Sequence, residues 1–278
     1  GAGADLAATP DGIQYDINGS NRNALTATVW DMGAHQYAST ASIGTSSRDY
    51  STITLWEADL DDTTVYGAGA NAVGECYNDS TFDESVTIDG GITIGLNSVT
   101  LTAATGQKHD GTAGTGVQWS WTGGNLNTLC QLGLTTDSVT RIIEYIDFNG
   151  NNQNILLLVY HRNPNTGSCT TRYSLIRQLV GTNYSTPVTL AAISNRNNYF
   201  YNNILYNCDT TGSNYRSAVG LYSNGAVAAQ EIYNCTIHNI ASQDTNDLYG
   251  AYGYQSQSDA TGEIVKNTII TSVNGNSP

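Results

Sequence analysis

Apolar and polar positions in the C-terminal third of the chain follow a beat that recurs. Phe200-Tyr201-Asn202-Asn203-Ile204-Leu205 aligns with Ile232-Tyr233-Asn234-Cys235-Thr236-Ile237, and again with Ile264-Val265-Lys266-Asn267-Thr268-Ile269, 32 residues on each time. In each copy the positions suited to burial are the first, fourth and sixth, with Asn or Cys at the fourth. A gap of three followed by two fits a strand, a bend and a second strand, not the 3.6-residue beat of a helix. Residues 141–148 carry a fainter copy, in which Ile143, Ile146 and Phe148 keep the spacing. A fixed period of this length marks units that bury their apolar face only by stacking on neighbours. The pattern predicts an all-β fold, a right-handed parallel β-helix.

Upstream the beat changes. Over residues 51–62, Ile53, Trp56 and Leu60 share one helical face, with Glu57 and Asp61 opposite and Ser51 or Thr52 as N-cap. A lone amphipathic helix ahead of a solenoid can cover the apolar end of the first coil. Residues 1–45 form a separate segment. Turn residues at 8–12 and 18–20 flank alternating stretches at 13–17 and 24–30. This strand-like arm either adds to another chain as a strand or folds back on the first coil. The expected organisation is an arm over 1–45 and a β-helix over 46–278. Further strand-like pieces fall at 74–77, 85–88, 92–94, 98–103, 117–121, 155–160 and 173–180. At roughly 25–32 residues per coil, positions 63–278 would make about seven or eight coils, a rod of roughly 35 Å. No capping segment follows the last repeat phrase, so the last coil is expected to present an open edge to further chain or to another subunit.

Composition narrows the partners. Charged residues are 12% of the chain, about half the usual share, and Gly, Asn, Ser and Thr take their place. The net charge of −14 with only 10 Lys+Arg argues against nucleic acid, whose binding rests on neutralising phosphates. It also disfavours an anionic polysaccharide unless Ca²⁺ bridges the two. The longest dense apolar run, at 155–160, is strand-length, so no membrane span is expected. Five cysteines, Cys76, Cys130, Cys169, Cys208 and Cys235, match no metal or CxxC spacing. They are either buried small hydrophobes or, in an extracellular protein, include a Cys169–Cys208 or Cys208–Cys235 disulfide. Asn18, Asn78, Asn183 and Asn234 head glycosylation sequons.

Three phrases occur in order: Arg48-Asp49-Tyr50-Ser51-Thr52-Ile53 with Leu55-Trp56-Glu57, then Glu75-Cys76-Tyr77-Asn78-Asp79, then His109-Asp110-Gly111-Thr112-Ala113-Gly114-Thr115-Gly116. Together they resemble the N-terminal part of right-handed parallel β-helix proteins of the pectate-lyase-like superfamily. More narrowly, they resemble uncharacterised secreted or phage-associated members from environmental bacteria. The resemblance covers about 46–278 and implies an extracellular, cell-surface or virion location. The superfamily includes polysaccharide lyases, glycoside hydrolases, tailspikes and adhesins, so the fold alone does not select a function.

A lyase of this kind would need an Arg or Lys base beside carboxylates repeated on stacked coils. The aligned coils instead carry Glu144, Tyr201, Tyr233 and Val265 at the second position, and Asp147, Ile204, Thr236 and Thr268 at the fifth. Arg141, Glu144 and Asp147 form the best catalytic trio, against the alternative of a solvated turn. Glu144 with Asp147, or Asp83 with Glu84, could supply the two carboxylates of a glycosidase. The four histidines, His35, His109, His161 and His238, are scattered, and His109 opens a tight turn. Asp59, Asp61 and Asp62 could hold Ca²⁺ loosely, although they lack an EF-hand loop; no other cofactor is expected. Tyr201 and Tyr233 should point outward on adjacent coils, and Tyr249, Tyr252 and Tyr254 sit in a Gly/Gln/Ser-rich stretch. Exposed aromatics among amides and hydroxyls suit neutral surface glycans or another protein, and an ordinary stacking ladder is the simpler alternative. The leading expectation is a non-enzymatic rod that associates with itself into a filament or fibre through its arm and last coil. The alternatives are a carbohydrate-active enzyme or tailspike-like depolymerase, and a glycan-binding adhesin.

Overall fold

The computed structural model describes residues 39–134, 138–162, 166–181, 188–195, 197–210, 217–226, 230–242, 250–257 and 262–275. The arm's alternating stretches, His35, Asn18 and Asn183 lie outside the described residues. Among the described residues three parallel sheets form. The first runs in spatial order Ser39–Ile43, Asn71–Cys76, Ser98–Ala103, Thr140–Glu144, Ser168–Arg172, Asn198–Tyr201, Gln230–Tyr233, Glu263–Lys266. The second runs Val86–Ile88, Leu126–Leu132, Ile155–His161, Val188–Asn195, Ala218–Ala226, Ala251–Gln257. The third runs Thr81–Phe82, Gln118–Ser120, Asp147–Asn149, Leu175–Gly181, Ile204–Thr210, Thr236–Ser242, Ile269–Gly275. Each strand pairs with its counterparts one coil away, which makes a parallel β-solenoid of about six turns. One coil is longer than the expected 25–32 residues. Ser98 pairs with Thr140, 42 residues on, and the excess includes the Gly/Thr-rich loop at 109–116.

Alternation along each strand decides which side chains enter the interior. In Asn71–Cys76 every second residue is buried. Ile143, Thr171, Phe200, Ile232 and Val265 stand side by side on successive coils of the first sheet, at steps of 28, 29, 32 and 33 residues. The last step corrects the sequence alignment, which matched Ile264 to Ile232. The bend after each first-sheet strand fixes the register. Asn202, Asn234 and Asn267 occupy the left-handed region there, with φ of 52°, 53° and 51°, and Asn tolerates that region better than most residues. Asn267 therefore matches Asn234, not Cys235, and Lys266 is the residue beside Tyr233.

The five cysteines are buried and none is joined in a disulfide, so neither expected pairing forms. Cys208 stacks on Ile240 of the next coil. Burial pushes its thiol up to about 12, and that of Cys235 to about 11, which makes both poor nucleophiles at neutral pH.

The helix spans Ile53–Ala58 and runs into a 3-10 turn over Asp59–Asp61. Thr52 is its N-cap, accepting from Leu55 N–H at 3.1 Å, and Glu84 accepts from the N–H groups of Ile53 and Thr54. These bonds satisfy donors that a helix start leaves open. Ile53, Trp56 and Leu60 are buried, on the face the sequence indicated. A Cβ on Gly74 would lie 2.9 Å from both Ile43 and Trp56, so the helix packs against bare backbone of the first coil. Ser39–Ile43, assigned to the arm by sequence, pairs in parallel with Asn71–Cys76 as the first rung.

The interior also holds polar groups. His161 is fully buried, with Nε2 2.7 Å from Thr171 Oγ1. Its Nδ1 makes no hydrogen bond of normal geometry. Burial lowers its pKa from 6.5 to about 3, and nearby Asn198 opposes this only partly. A histidine held neutral by the fold stabilises fully above its unfolded pKa, and that contribution is lost as the pH falls from about 6.5 towards 3. At pH 4.5 the expected loss is about 2–3 kcal/mol. Urea titrations at pH 7.5 and 4.5 should show it in the wild type and not in His161→Gln. Equal pH dependence in both proteins would refute this assignment.

Candidate functional site

The catalytic trio read from sequence does not assemble. Thr140–Glu144 alternates, so Arg141 and Ile143 face the interior while Glu144 faces out. Arg141 is fully buried, and its guanidinium donates to the carbonyls of Gly90 at 3.0 Å and Asp89 at 2.8 Å. It therefore holds the turn on which Leu60 rests; a Cβ at Gly90 would come within 2.7 Å of Leu60. Glu144 accepts from Arg172 Nε at 2.7 Å and from Thr102 at 3.1 Å. Asp147 accepts from Arg177 through both carboxylate oxygens, at 2.8 and 2.9 Å, and from Gly114 N–H at 2.9 Å.

Asp147 is buried although its column points outward. Its neighbour Phe148 fills the interior, while Asp147 itself lies beside Leu175 on the outer face. The Gly/Thr-rich loop of residues 109–116 folds over it. Within that loop Asp110 accepts from Thr112 N–H and Thr115 Oγ1, closing the tight turn the sequence indicated. His109 Nε2 donates to the Tyr173 carbonyl at 2.7 Å while Nδ1 accepts from Gly111 N–H at 3.2 Å.

The remaining acids are engaged locally. Asp83 accepts from Thr122, and Glu84 from the helix start. Asp59 accepts from Tyr50 at 2.8 Å, Asp61 from the backbone of Gly91 and Thr93, and Asp62 from Thr64. The three aspartates turn to three different partners, and among the described residues no cluster of three or more metal-ligating side chains forms.

Tyr201 and Tyr233 stack at 5.5 Å with an interplanar angle of 22°, and Tyr199 packs on Tyr201 at 5.9 Å. Burial, reinforced by Glu231, pushes the Tyr201 phenol well up. Tyr252 and Tyr254 lie on the second sheet, apart from this pair; Tyr249 is outside the described residues. Sequence reasoning missed a tighter stack. Tyr145 and Tyr173 lie 5.0 Å apart and 8° from parallel, at the bend that Asn occupies in later coils. Lys108 sits 3.6 Å over the Tyr145 ring. The signal was present, because Glu144-Tyr145 and Arg172-Tyr173 run into the bend as Tyr201-Asn202 does. It was hidden because Thr171 stands where the repeat phrase has an apolar residue.

An open groove of about 510 Å³ lies on the second sheet, lined by residues including Ser85, Thr87, Asn125, Asn127 and Gln131. It exists because Val86–Ile88 pairs only with Cys130–Leu132 of the longer strand beside it. No residue singled out in the sequence lines it.

Fold and site together define a parallel β-solenoid whose candidate acids and bases are tied into the structure. No protein-family model, no curated protein and no solved structure matches the chain.

Proposed function

We propose a non-enzymatic structural protein, a β-solenoid rod that joins a second copy of itself through its last coil and its strand-like arm. The observation that carries this is an exposed apolar row. The inward-facing Val265 and Ile270 are 42% and 44% exposed, whereas Ile232 and Ile237, beside them one coil earlier, are fully buried. A further coil of the same cross-section would bury that row, at about 1.5–3 kcal/mol for each large side chain fully covered. A second copy can supply strands for it, including the alternating stretches 13–17 and 24–30. The engagement of Glu144, Asp147 and Glu84 in structural bonds supports a non-catalytic reading. Membership of the pectate-lyase-like superfamily, in its secreted or phage-associated branch, is part of this proposal and rests on the motif resemblance. Electron microscopy and sedimentation velocity test it. Wild-type protein should form dimers or filaments with rising concentration, and Val265→Lys/Ile270→Lys should sediment as a single chain. A wild type that stays monomeric throughout would refute the reading.

A second reading, glycan binding, is favoured by the tyrosine stacks on the outer face of the rod.

A further inference from the structure

We propose that the Tyr145–Tyr173 corner is a stacking subsite for a ring of a neutral glycan. The inference deepens the glycan-binding reading and depends on it. Its starting point is backbone strain. Tyr145 and Tyr173 have φ of 60° and 53°, a region costly for bulky side chains. The three later coils place Asn at the same bend, with the same backbone. Asn would therefore serve the fold here with less strain, yet two successive coils carry Tyr.

Both rings are engaged within the protein by their mutual stack, and the Arg172 guanidinium lies 5.9 Å from the Tyr173 centroid. Tyr145 lies against Tyr173 and under the Lys108 ammonium. Tyr173 remains 39% exposed, so its ring is only partly used by the fold. Unusual backbone held in place by its surroundings is characteristic of binding sites. On the next coil Tyr201 pairs with Arg172, its carbonyl accepts from Tyr173 N–H at 3.1 Å, and Asn202 follows at the matching bend. A partly open ring with a smaller amide residue beside it offers a flat platform and a hydrogen-bonding edge. That combination suits the C–H face and the hydroxyls of a pyranose.

The charges favour a neutral ligand. Arg172 is held by Glu144 at 2.7 Å, and Lys108 lies on Tyr145. The chain's net charge of −14 repels polyanions.

The test uses the full chain on an immobilised array of neutral oligosaccharides, followed by affinity electrophoresis in gels containing the glycans retained. Tyr145→Asn/Tyr173→Asn restores the residue that the fold uses at this bend elsewhere, so the variant should melt at or above the wild-type temperature. It should nevertheless lose at least tenfold in affinity, while Tyr201→Ala/Tyr233→Ala stays within about threefold. If the wild type binds and the corner variant binds equally well, the subsite is refuted and the glycan-binding reading survives. If the wild type retains no neutral glycan, both are refuted.

Discussion

Replacing Asp147 by Ala is expected to destabilise the protein by about 3–5 kcal/mol, because it strands the Arg177 guanidinium in a nearly dry site. Asp147 is completely buried and the Arg177 side chain is 6% exposed. The two make a double hydrogen bond, and the carboxylate also anchors Gly114 of the covering loop. Removing the carboxylate thus breaks the ion pair and releases the loop. Removing both charges is a different matter. Asp147→Leu/Arg177→Met should recover most of the loss, since apolar replacement of a buried pair is often neutral or favourable. Urea denaturation of the wild type and both variants measures this, and limited proteolysis should detect a loosened 109–116 loop in the single variant. If Asp147→Ala unfolds at the wild-type midpoint, water already reaches the pair and the loop is not a seal.

The parts of this fold that were legible in the sequence are those where period and polarity agree. The coils at 200–242 combine apolar inward rows with a constant step. The helix is legible because Ile53, Trp56 and Leu60 can share a face in no other local structure. Legibility failed where a polar residue faces inward or a loop breaks the step. Thr171 takes an interior place between Ile143 and Phe200, so the coil it belongs to looked irregular. For the last coil, the paired Asn residues at 202–203 two coils earlier allowed two alignments, which strand register and backbone handedness separate. The candidate site was harder still. Arg141 shares its strand parity with Ile143, which was a clue to its inward position. Its partners, however, are carbonyls some 50 residues earlier, which no local pattern reveals. For Asp147 and Glu144 the sequence supplied the acids but not the arginines, because Arg172 and Arg177 arrive from the following coil.

The two described ends of the solenoid meet the same physical problem differently, and Trp56 is where the difference can be measured. At the first coil a helix lies over the interior; at the last described coil the inward-facing Val265 and Ile270 are 42% and 44% exposed. Trp56 is fully buried, lies against Gly74 and donates its indole N–H to Tyr66 at 3.1 Å. Trp56→Ala should cost about 3–5 kcal/mol, from lost burial and from the cavity left between helix and sheet. Trp56→Phe keeps most of the volume and loses the bond to Tyr66, so it should cost less than half as much. Leu55→Ala, on the same helix but 51% exposed, should stay within about 0.5 kcal/mol of wild type. Guanidinium melts of the three variants would show that order if the helix acts as a lid on the apolar interior. If Trp56→Ala and Leu55→Ala are equally mild, the first coil is stable without its cover. The exposed row at the last coil would then need no partner on energetic grounds, which removes the argument for association at that end.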